Sequence, residues 1–518
     1  MSKHSTVIGA ALFATITMIA TGCTSGPTAP ATTTDTIRTT IDIPATFDPT
    51  LGQSLPDFLL ARTSYDTLVR RDKTGLVPGL ATKWSSTPTS ATFNIRQDAT
   101  CSDGTKITPT VVKNSLEYLA RPGAGVTQSV YAFGPGNMPV VTADDTAGTV
   151  DIKLQQPWPF MVQGMSMSVA GIICPKGLAD PKALAAGTAK GSESGPYALK
   201  SVEPGVRYEF DLRKDYKSWP KWTTNIGGAP AAKLIYNVSP DPTSTANLVI
   251  SGQMDIGKIQ AQTIPRFTGQ PGYQVTTNRF SDFYLIFNER DGSPFADEAA
   301  RKGVIQAIDR ATFVKVTSLD TGQLPKSLAS NETQCVADAK NDIPAQDVAA
   351  ATSALKGKTI RLIGPNIAGA AGAGNEYLAE ALRSAGATVQ LTNTDVGSWI
   401  STIIAKPGDW DVTMFADLNF IGSLASPILN FIGPTFADGG GNFGAVQNTA
   451  AEAAFGAATG ESDAQAQCGD LNDAIDALIS RSDALPLDND SFIYASRPGF
   501  TVRMLGGALD DPIFRIGG

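Results

Sequence analysis

The stretch "KTIRLIG" (358–364) begins an alternation that continues through "NEYLAEALRSAG" (375–386), "ATVQLTN" (387–393), "GSWISTIIAK" (397–406) and "DWDVTMF" (409–415). The first, third and fifth segments read as strands. The second and fourth have helical spacing. This order, three strands separated by two helices, predicts a parallel sheet with crossover helices, which is an α/β fold. Ligands of such sheets lie beyond the carboxyl ends of the strands, so the tip that carries Phe415, Asp417 and Asn419 is a candidate ligand site.

The first half of the chain has a different pattern. In "GVRYEFDLRKDY" (205–216), Val206, Tyr208, Phe210 and Leu212 fall on one face, opposite charged residues. "TVDIKL" (149–154) alternates in the same way. Strict alternation is typical of half-buried strands, so we predict antiparallel strands in this half.

The N-terminal residues predict an exported and anchored protein. Residues 1–22 have a short basic start, an apolar run too brief to span a bilayer, and small residues before Cys23, which is the layout of a signal peptide. Small residues directly before a cysteine resemble a bacterial lipobox, so we expect lipidation at Cys23. An ordinary signal peptide with an incidental cysteine is the alternative. Residues 23–36 are rich in Thr, Ala and Pro and are predicted to form a tether.

Composition excludes several classes of function. The chain has 49 acidic and 41 basic side chains and no basic run, which argues against nucleic-acid binding. Its single histidine, His4, lies in the predicted signal peptide. Without histidine a Ser-His-Asp or Cys-His hydrolase cannot be built, and we find no G-x-S-x-G motif. We therefore predict a protein that is not an enzyme and holds no cofactor or metal.

The cysteines after Cys23 number four: Cys101, Cys174, Cys335 and Cys468. An even number in an exported chain favours disulfides, for which three pairings are possible. A zinc site is the alternative, but the wide spacing and the missing histidines disfavour it.

Several motifs resemble one known family. They are "YDTLVRRDKTGLVPGLATKWSS", "TFNIRQDATCSDGTKITPTVVKNSLEYL", "SGPYALKSVEPGVRYEFDLRKDYKSW", "ISGQMDIG", "FNERDGSPFADEAARKGVIQAIDRATF" and "LPLDNDSFIYASRP". In this order they are similar to the family 5 extracellular solute-binding proteins, the peptide, dipeptide and nickel binders of ABC importers. The resemblance covers residues 40 to 500.

The resemblance implies a two-lobed periplasmic-binding-protein fold of the class II type, with an additional subdomain in the first lobe. The expected boundaries are 37–64, 190–275 and 484–518 for lobe I, 65–189 for its extra subdomain, and 276–483 for lobe II. It also implies the disulfides Cys101–Cys174 and Cys335–Cys468, because each pair then lies within one subdomain. Chain crossings between the lobes would act as a hinge that closes on a ligand.

The resemblance further implies a set of ligand-binding residues. In peptide binders of this family, an aspartate just past a strand of the second lobe takes the ligand's α-amino group, and Asp417 stands at the matching place. An aspartate that caps a local turn is the alternative for Asp417. Asp488, Asp490 and Asp57 suggest an acidic pocket for a cationic ligand, with solvated loops as the alternative. Phe415, Asn419 and Tyr284 complete the predicted set. The segment before Asp417 is shorter than in the oligopeptide binder, and no arginine is placed to hold a peptide carboxylate, so the peptide class stays open.

We therefore expect a monomeric lipoprotein at the outer face of the cytoplasmic membrane, in the cell envelope or periplasmic space. It would pass short peptides, or a similar amine-bearing solute, to an ABC permease and ATPase complex. A metal chelate, an opine or an oligosaccharide is an alternative ligand. A surface sensor or adhesin without transport is an alternative role.

Overall fold

The structure is a computed structural model, and it describes residues 34–121, 126–239, 241–340, 343–505 and 512–517. The predicted signal peptide, the lipidation site at Cys23 and most of the predicted tether lie outside the described residues. The first strand begins at Thr36, the last residue of that tether. None of the helices in the described ranges combines the length and apolar character that a bilayer-spanning segment requires.

Strands and helices are interspersed along the chain, often in runs of two or more of the same kind. The strands are β1 (Thr36–Ile41), β2 (Val69–Asp72), β3 (Gly75–Pro78), β4 (Ala81–Thr87), β5 (Ser90–Ile95), β6 (Val140–Asp144), β7 (Thr149–Lys153), β8 (Tyr197–Glu203), β9 (Arg207–Leu212), β10 (Lys233–Val238), β11 (Ile256–Ile259), β12 (Gln274–Phe287), β13 (Thr359–Pro365), β14 (Thr388–Thr394), β15 (Val412–Asp417), β16 (Ala484–Ser496), β17 (Phe500–Arg503) and β18 (Ile513–Ile516). The helices are α1 (Leu55–Ser64), α2 (Pro109–Leu119), α3 (Val126–Phe133), α4 (Met161–Gly164), α5 (Pro175–Ala179), α6 (Pro181–Ala185), α7 (Pro242–Ile250), α8 (Glu298–Ala307), α9 (Arg310–Ser318), α10 (Val348–Leu355), α11 (Ala373–Ser384), α12 (Val396–Ala405), α13 (Ala425–Ile428), α14 (Thr449–Gly460) and α15 (Ala464–Ser480).

The predicted strand–helix alternation between 358 and 415 is confirmed. It forms β13, α11, β14, α12 and β15, and β13 pairs in parallel with both β14 and β15. The apolar face of α11 is buried through Leu378, Ala379 and Leu382, as its spacing predicts. These three strands form one side of a six-stranded sheet with the order β11-β16-β12-β15-β13-β14.

The antiparallel strands predicted for the first half are also confirmed. One sheet has the order β4-β5-β7-β6 and another has the order β1-β10-β9-β8, in which β1 is the parallel exception. Tyr208 and Phe210 of β9 are buried. The prediction for Val206 was wrong, because this residue lies in the turn before β9 and is 58% exposed.

Two long neighbouring strands, β12 and β16, run antiparallel through the six-stranded sheet. At one end β16 pairs with β11, and at the other end β12 pairs with β15. On β16, Ile493 lies near the end that pairs with β11 and packs in one core. Leu485 lies near the other end and packs in a different core. The pairing of β12 with β16 shifts register at 278–281 and again at 283–284. The two strands therefore connect separate cores and are irregular between them.

Both expected disulfides are present. Cys101 bonds to Cys174 and Cys335 bonds to Cys468. They close loops with sequence separations of 73 and 133 residues. Closing loops of this size restricts the unfolded chain and stabilises the folded state by about 4–5 kcal/mol each in the chain-entropy model.

The tight approach of Gly444 to β12 gives a test of the packing. A Cβ at position 444 would overlap the backbone carbonyl oxygen of Phe287, whereas a Cβ at Gly456 of α14 would meet open space. We expect Gly444→Ala to lower the free energy of unfolding by about 1–3 kcal/mol because the strand end must shift. Gly456→Ala, the matched control, should raise it by about 0.5–1 kcal/mol because alanine favours the helix. Urea denaturation checks both, and equal effects of the two variants would contradict this packing.

Candidate functional site

Asp417 is the last residue of strand β15, at the carboxyl end of the parallel strands, where a ligand site was predicted. The residue is only 3% exposed. Its Oδ2 accepts a hydrogen bond from the Tyr284 hydroxyl at 3.0 Å, and its Oδ1 accepts one from the Asn419 backbone N–H at 2.9 Å. The structure thus brings together three of the predicted residues: Asp417, Tyr284 and Asn419.

A chain of hydrogen bonds extends from Asp417 to helix α3. The Asn430 amide donates to the Tyr284 hydroxyl at 2.7 Å, and the Tyr131 hydroxyl donates to Asn430 Oδ1 at 3.2 Å. Tyr131 and Asn430 are both buried. Tyr131 lies in the segment 65–189 and the other members lie in 276–483, so the chain connects the two predicted lobes. The sequence analysis identified neither Tyr131 nor Asn430.

Apolar contacts accompany this connection. The ring of Phe420, three residues beyond Asp417, lies 4.9 Å from the ring of Phe58 and 5.8 Å from that of Tyr131. Arg71 Nη2 donates to the Phe420 carbonyl oxygen at 2.7 Å. The segment 58–131 and the loop after β15 therefore pack directly against each other.

Phe415 forms an aromatic floor beside the carboxylate. Its ring lies nearly parallel to that of Tyr284, with centroids 5.4 Å apart. Trp399 and Phe443 contact its other sides at 5.2 and 4.8 Å. Such surroundings contain few groups that can solvate a charge.

Asn419 shapes the turn after Asp417. Its φ of 42° lies in the left-handed region, which asparagine tolerates better than most residues. Its side-chain oxygen accepts a hydrogen bond from the Ser423 backbone N–H at 3.1 Å. The turn therefore aims the Asn419 N–H at the Asp417 carboxylate.

The charge of Asp417 has no cationic partner. Within the described ranges this carboxylate makes no ion pair with a lysine or arginine. Burial raises its pKa to about 6, against the hydrogen bonds from Asn419 and Tyr284. A buried carboxylate without a counterion can receive a positively charged or strongly hydrogen-bonding group, so Asp417 stays the candidate ligand residue.

Asp282 is a second buried carboxylate at this place, and the sequence analysis missed it. It is the direct cross-strand partner of Asp417 and is 1% exposed. Its Oδ1 accepts a hydrogen bond from Asn489 Nδ2 at 2.8 Å. Alternation along "SDFYLIF" (281–287) places Asp282 on the face of Tyr284, and that pattern was the available signal.

Asp488 and Asp490 form a separate group. The Ser318 hydroxyl at the end of α9 lies within hydrogen-bond distance of both carboxylates and shares its single proton between them, and Asp488 also accepts a hydrogen bond from Thr317. Burial and the neighbouring Asp490 raise the pKa of Asp488 to about 7, and burial raises that of Asp490 to about 6. Alternation along β16 puts these two carboxylates on the face opposite to Asn489, toward α9. They do not share the face of Asp417.

Asp57 organises the loop before α1. Its carboxylate accepts hydrogen bonds from the backbone N–H groups of Ala45, Thr46, Gln53 and Ser54, and from the Ser54 hydroxyl. Both oxygens are occupied in this way. Asp57 therefore has partners of its own, whereas Asp488 and Asp490 share the Ser318 hydroxyl, and the acidic pocket expected from these three residues stays a prediction.

No cluster of three or more His, Cys, Asp or Glu side chains is arranged to hold a metal ion in the part of the chain that the structure describes.

A match to a family model defines the class of protein. The model described as "Bacterial extracellular solute-binding proteins, family 5 Middle" matches residues 75–435. The chain therefore belongs to the family 5 bacterial extracellular solute-binding proteins, as its motifs suggested.

Individual proteins are also similar to this chain. A substrate binding protein from Microbacterium hydrocarbonoxydans, solved in complex with 4-hydroxybenzoate hydrazide, is 45% identical with a TM-score of 0.89, covering 93% of this chain and 100% of that one. A dipeptide binding protein from Pseudoalteromonas sp. SM9913 in complex with Met-Leu is 17% identical with a TM-score of 0.79, covering 93% of this chain and 100% of that one, and shows the fold alone. These similarities confirm the two-lobed α/β fold.

The probable D,D-dipeptide-binding periplasmic protein DdpA of Escherichia coli (strain K12) is 30% identical over 176 residues. That match covers 31% of this chain and 32% of DdpA, so the chain matches about a third of that relative's length.

The raised pKa of Asp417 predicts how stability depends on pH. The unfolded carboxyl titrates near 4 and the folded one at about 6, so the folded state binds this proton more tightly. The group therefore destabilises the protein above pH 6, and this effect disappears below pH 4. We expect Asp417→Asn to raise the free energy of unfolding of the ligand-free protein by about 2–3 kcal/mol more at pH 8 than at pH 4.

Urea denaturation at the two pH values measures this difference. Asp291→Asn, which changes an exposed carboxyl, is the control. The same effect of Asp417→Asn at pH 4 and pH 8 would contradict a buried, unpaired carboxyl at this position.

Proposed function

We propose that this chain is the solute-binding component of an ABC importer. After removal of residues 1–22 it would be held by a lipid on Cys23 at the outer face of the cytoplasmic membrane. A solute bound between its lobes would favour closure, because only the closed protein contacts the solute from both sides. The closed protein would then deliver the solute to a membrane permease driven by an ATPase.

The proposed solute is small and carries an amine-type nitrogen group that Asp417 receives. The observation that carries this proposal is a buried carboxylate that has no cationic partner among the described residues, at the carboxyl end of a sheet strand and beside aromatic rings. A charge-assisted hydrogen bond at such a place contributes about 1.5–3 kcal/mol. The 45% identical relative was solved with an aromatic hydrazide, which favours a small aromatic compound with a terminal nitrogen group.

A short peptide is the second candidate. Its amino terminus would occupy the same carboxylate, and the partial similarity to DdpA favours it. Among the described residues, Phe415 contacts aromatic rings, and Asn419 and Tyr284 hydrogen-bond to hydroxyl, amide and backbone groups. None of these contacts is with an arginine that could hold a peptide carboxylate, which favours the aromatic compound.

The hydrogen-bonded chain supports coupling between solute and closure. Tyr131 contacts Asn430 only when the segment 65–189 is seated against the second predicted lobe, and Asn430 in turn orients the Tyr284 hydroxyl toward Asp417. A group bound at Asp417 is therefore linked to a contact that requires closure.

Asp417→Ala tests the proposed function. We expect it to weaken binding of 4-hydroxybenzoate hydrazide by ~10 to 100-fold, the equivalent of about 1.5–3 kcal/mol, because the carboxylate acceptor is lost. Isothermal titration calorimetry measures the affinity. Asp66→Asn is the control, since Asp66 is also a buried carboxyl but bonds to Tyr216 in the other predicted lobe.

Two results bear on the choice of solute. Unchanged affinity in Asp417→Ala would remove Asp417 from the site. Mass spectrometry of the solute that co-purifies with the protein separates the two candidates, because short peptides of mixed sequence would displace the aromatic compound as the first choice.

A further inference from the structure

We propose that Asp282 and Asp417 together receive the terminal nitrogen of the solute, and that this nitrogen is an unsubstituted –NH2 or –NH3⁺ group. The inference rests on the proposed function and extends it by naming a second acceptor and the chemical group that it selects.

The first observation is position. Asp282 of β12 and Asp417 of β15 are directly opposite each other in antiparallel strands. Side chains of such a pair lie on one face, with Cβ atoms about 4.5–5.5 Å apart. Tyr284, two residues further along β12, hydrogen-bonds to Asp417 and confirms that this is the face that Asp417 uses.

The second observation is an unused acceptor. Asp282 Oδ1 accepts from Asn489, which is on the neighbouring strand β16, away from Asp417. Asp282 Oδ2 is buried and makes no hydrogen bond of ordinary geometry in the described part of the chain. The Ser330 backbone N–H is near this carboxyl and acts to lower its pKa, but it does not offset the effect of burial. A buried carboxylate oxygen left without a donor is destabilising, so the site favours a ligand that brings one.

The third observation is the electrostatic balance of the pair. Two carboxylates opposite each other repel, and neither makes an ion pair with a lysine or arginine among the described residues. Burial and the neighbouring Asp417 raise the pKa of Asp282 well above its usual range. A nitrogen with at least two N–H donors can bond to both carboxylates at once and reduce their repulsion. A fully substituted nitrogen, or an ester oxygen, cannot.

A pair of probes isolates this selectivity: 4-hydroxybenzoate hydrazide and its N′,N′-dimethyl derivative, which lacks both terminal N–H donors. In the wild-type protein we expect the hydrazide to bind at least ~30-fold more tightly than the dimethyl compound, because two charge-assisted hydrogen bonds are lost on methylation. In Asp282→Asn we expect this ratio to fall below ~5, with little change in the affinity for the dimethyl compound. Asp66→Asn should keep the wild-type ratio.

Calorimetry with the full set of variants distinguishes the possible outcomes. A wild-type ratio in Asp282→Asn, together with weaker hydrazide binding in Asp417→Ala, would overturn the role of Asp282 and leave the proposed function standing. Unchanged hydrazide affinity in both variants would contradict the proposed site as well, and so would a wild-type protein that binds neither probe. If Asp282→Asn does not fold, Asp282→Ala replaces it. That variant also removes the second carboxylate and should lower the ratio in the same direction, and an unchanged ratio there would overturn the inference.

Discussion

The buried carboxylate of Asp417 is the constraint on which the site depends. It lies at the end of a sheet strand, where neighbouring backbone groups and the Tyr284 hydroxyl reach it but no lysine or arginine among the described residues does. A buried, unpaired carboxylate destabilises the ligand-free protein. A bound nitrogen group with several N–H donors would offset this cost through charge-assisted hydrogen bonds. The aromatic floor around Phe415 strengthens both effects because it keeps the local polarity low.

The long strands β12 and β16 connect this site with two separate cores. Each strand packs against one core near its first end and another core near its second end. Their pairing is irregular at 278–284, next to Asp282. A bend at this irregularity would change the position of Tyr131 relative to Asn430 while leaving the hydrogen bond of Tyr284 to Asp417 intact, since the latter lies within one lobe.

Local patterns in the sequence were sufficient for much of the fold. The run from 358 to 415 has short-range periodicity, and its strands and helices were predicted within a few residues of their observed bounds. The disulfides and the position of Asp417 came from the family resemblance. Asp282 was missed because the local alternation places it only on the face of Tyr284, and its pairing with Asp417, far away in the chain, is specified by the tertiary fold. Tyr131 and Asn430 were missed for the same reason.

The acidic residues show a second limit of the sequence. Asp57, Asp488 and Asp490 were expected to line one acidic pocket; in the structure, donors beside α1 hold Asp57, and hydroxyl groups of α9 reach Asp488 and Asp490. An aspartate in a sequence looks the same whether it caps a loop or binds a solute. Only the partners of its oxygens distinguish the two roles, and those partners depend on the tertiary fold.

The most direct test of solute capture by closure is small-angle X-ray scattering with and without 4-hydroxybenzoate hydrazide, at a concentration that calorimetry shows to be saturating. We expect the radius of gyration of the wild-type protein, first stripped of co-purified solute, to decrease when the hydrazide is added. The Asp417→Ala variant should show no decrease at the same concentration. An identical radius of gyration for the wild-type protein in both conditions would contradict closure around a solute at Asp417.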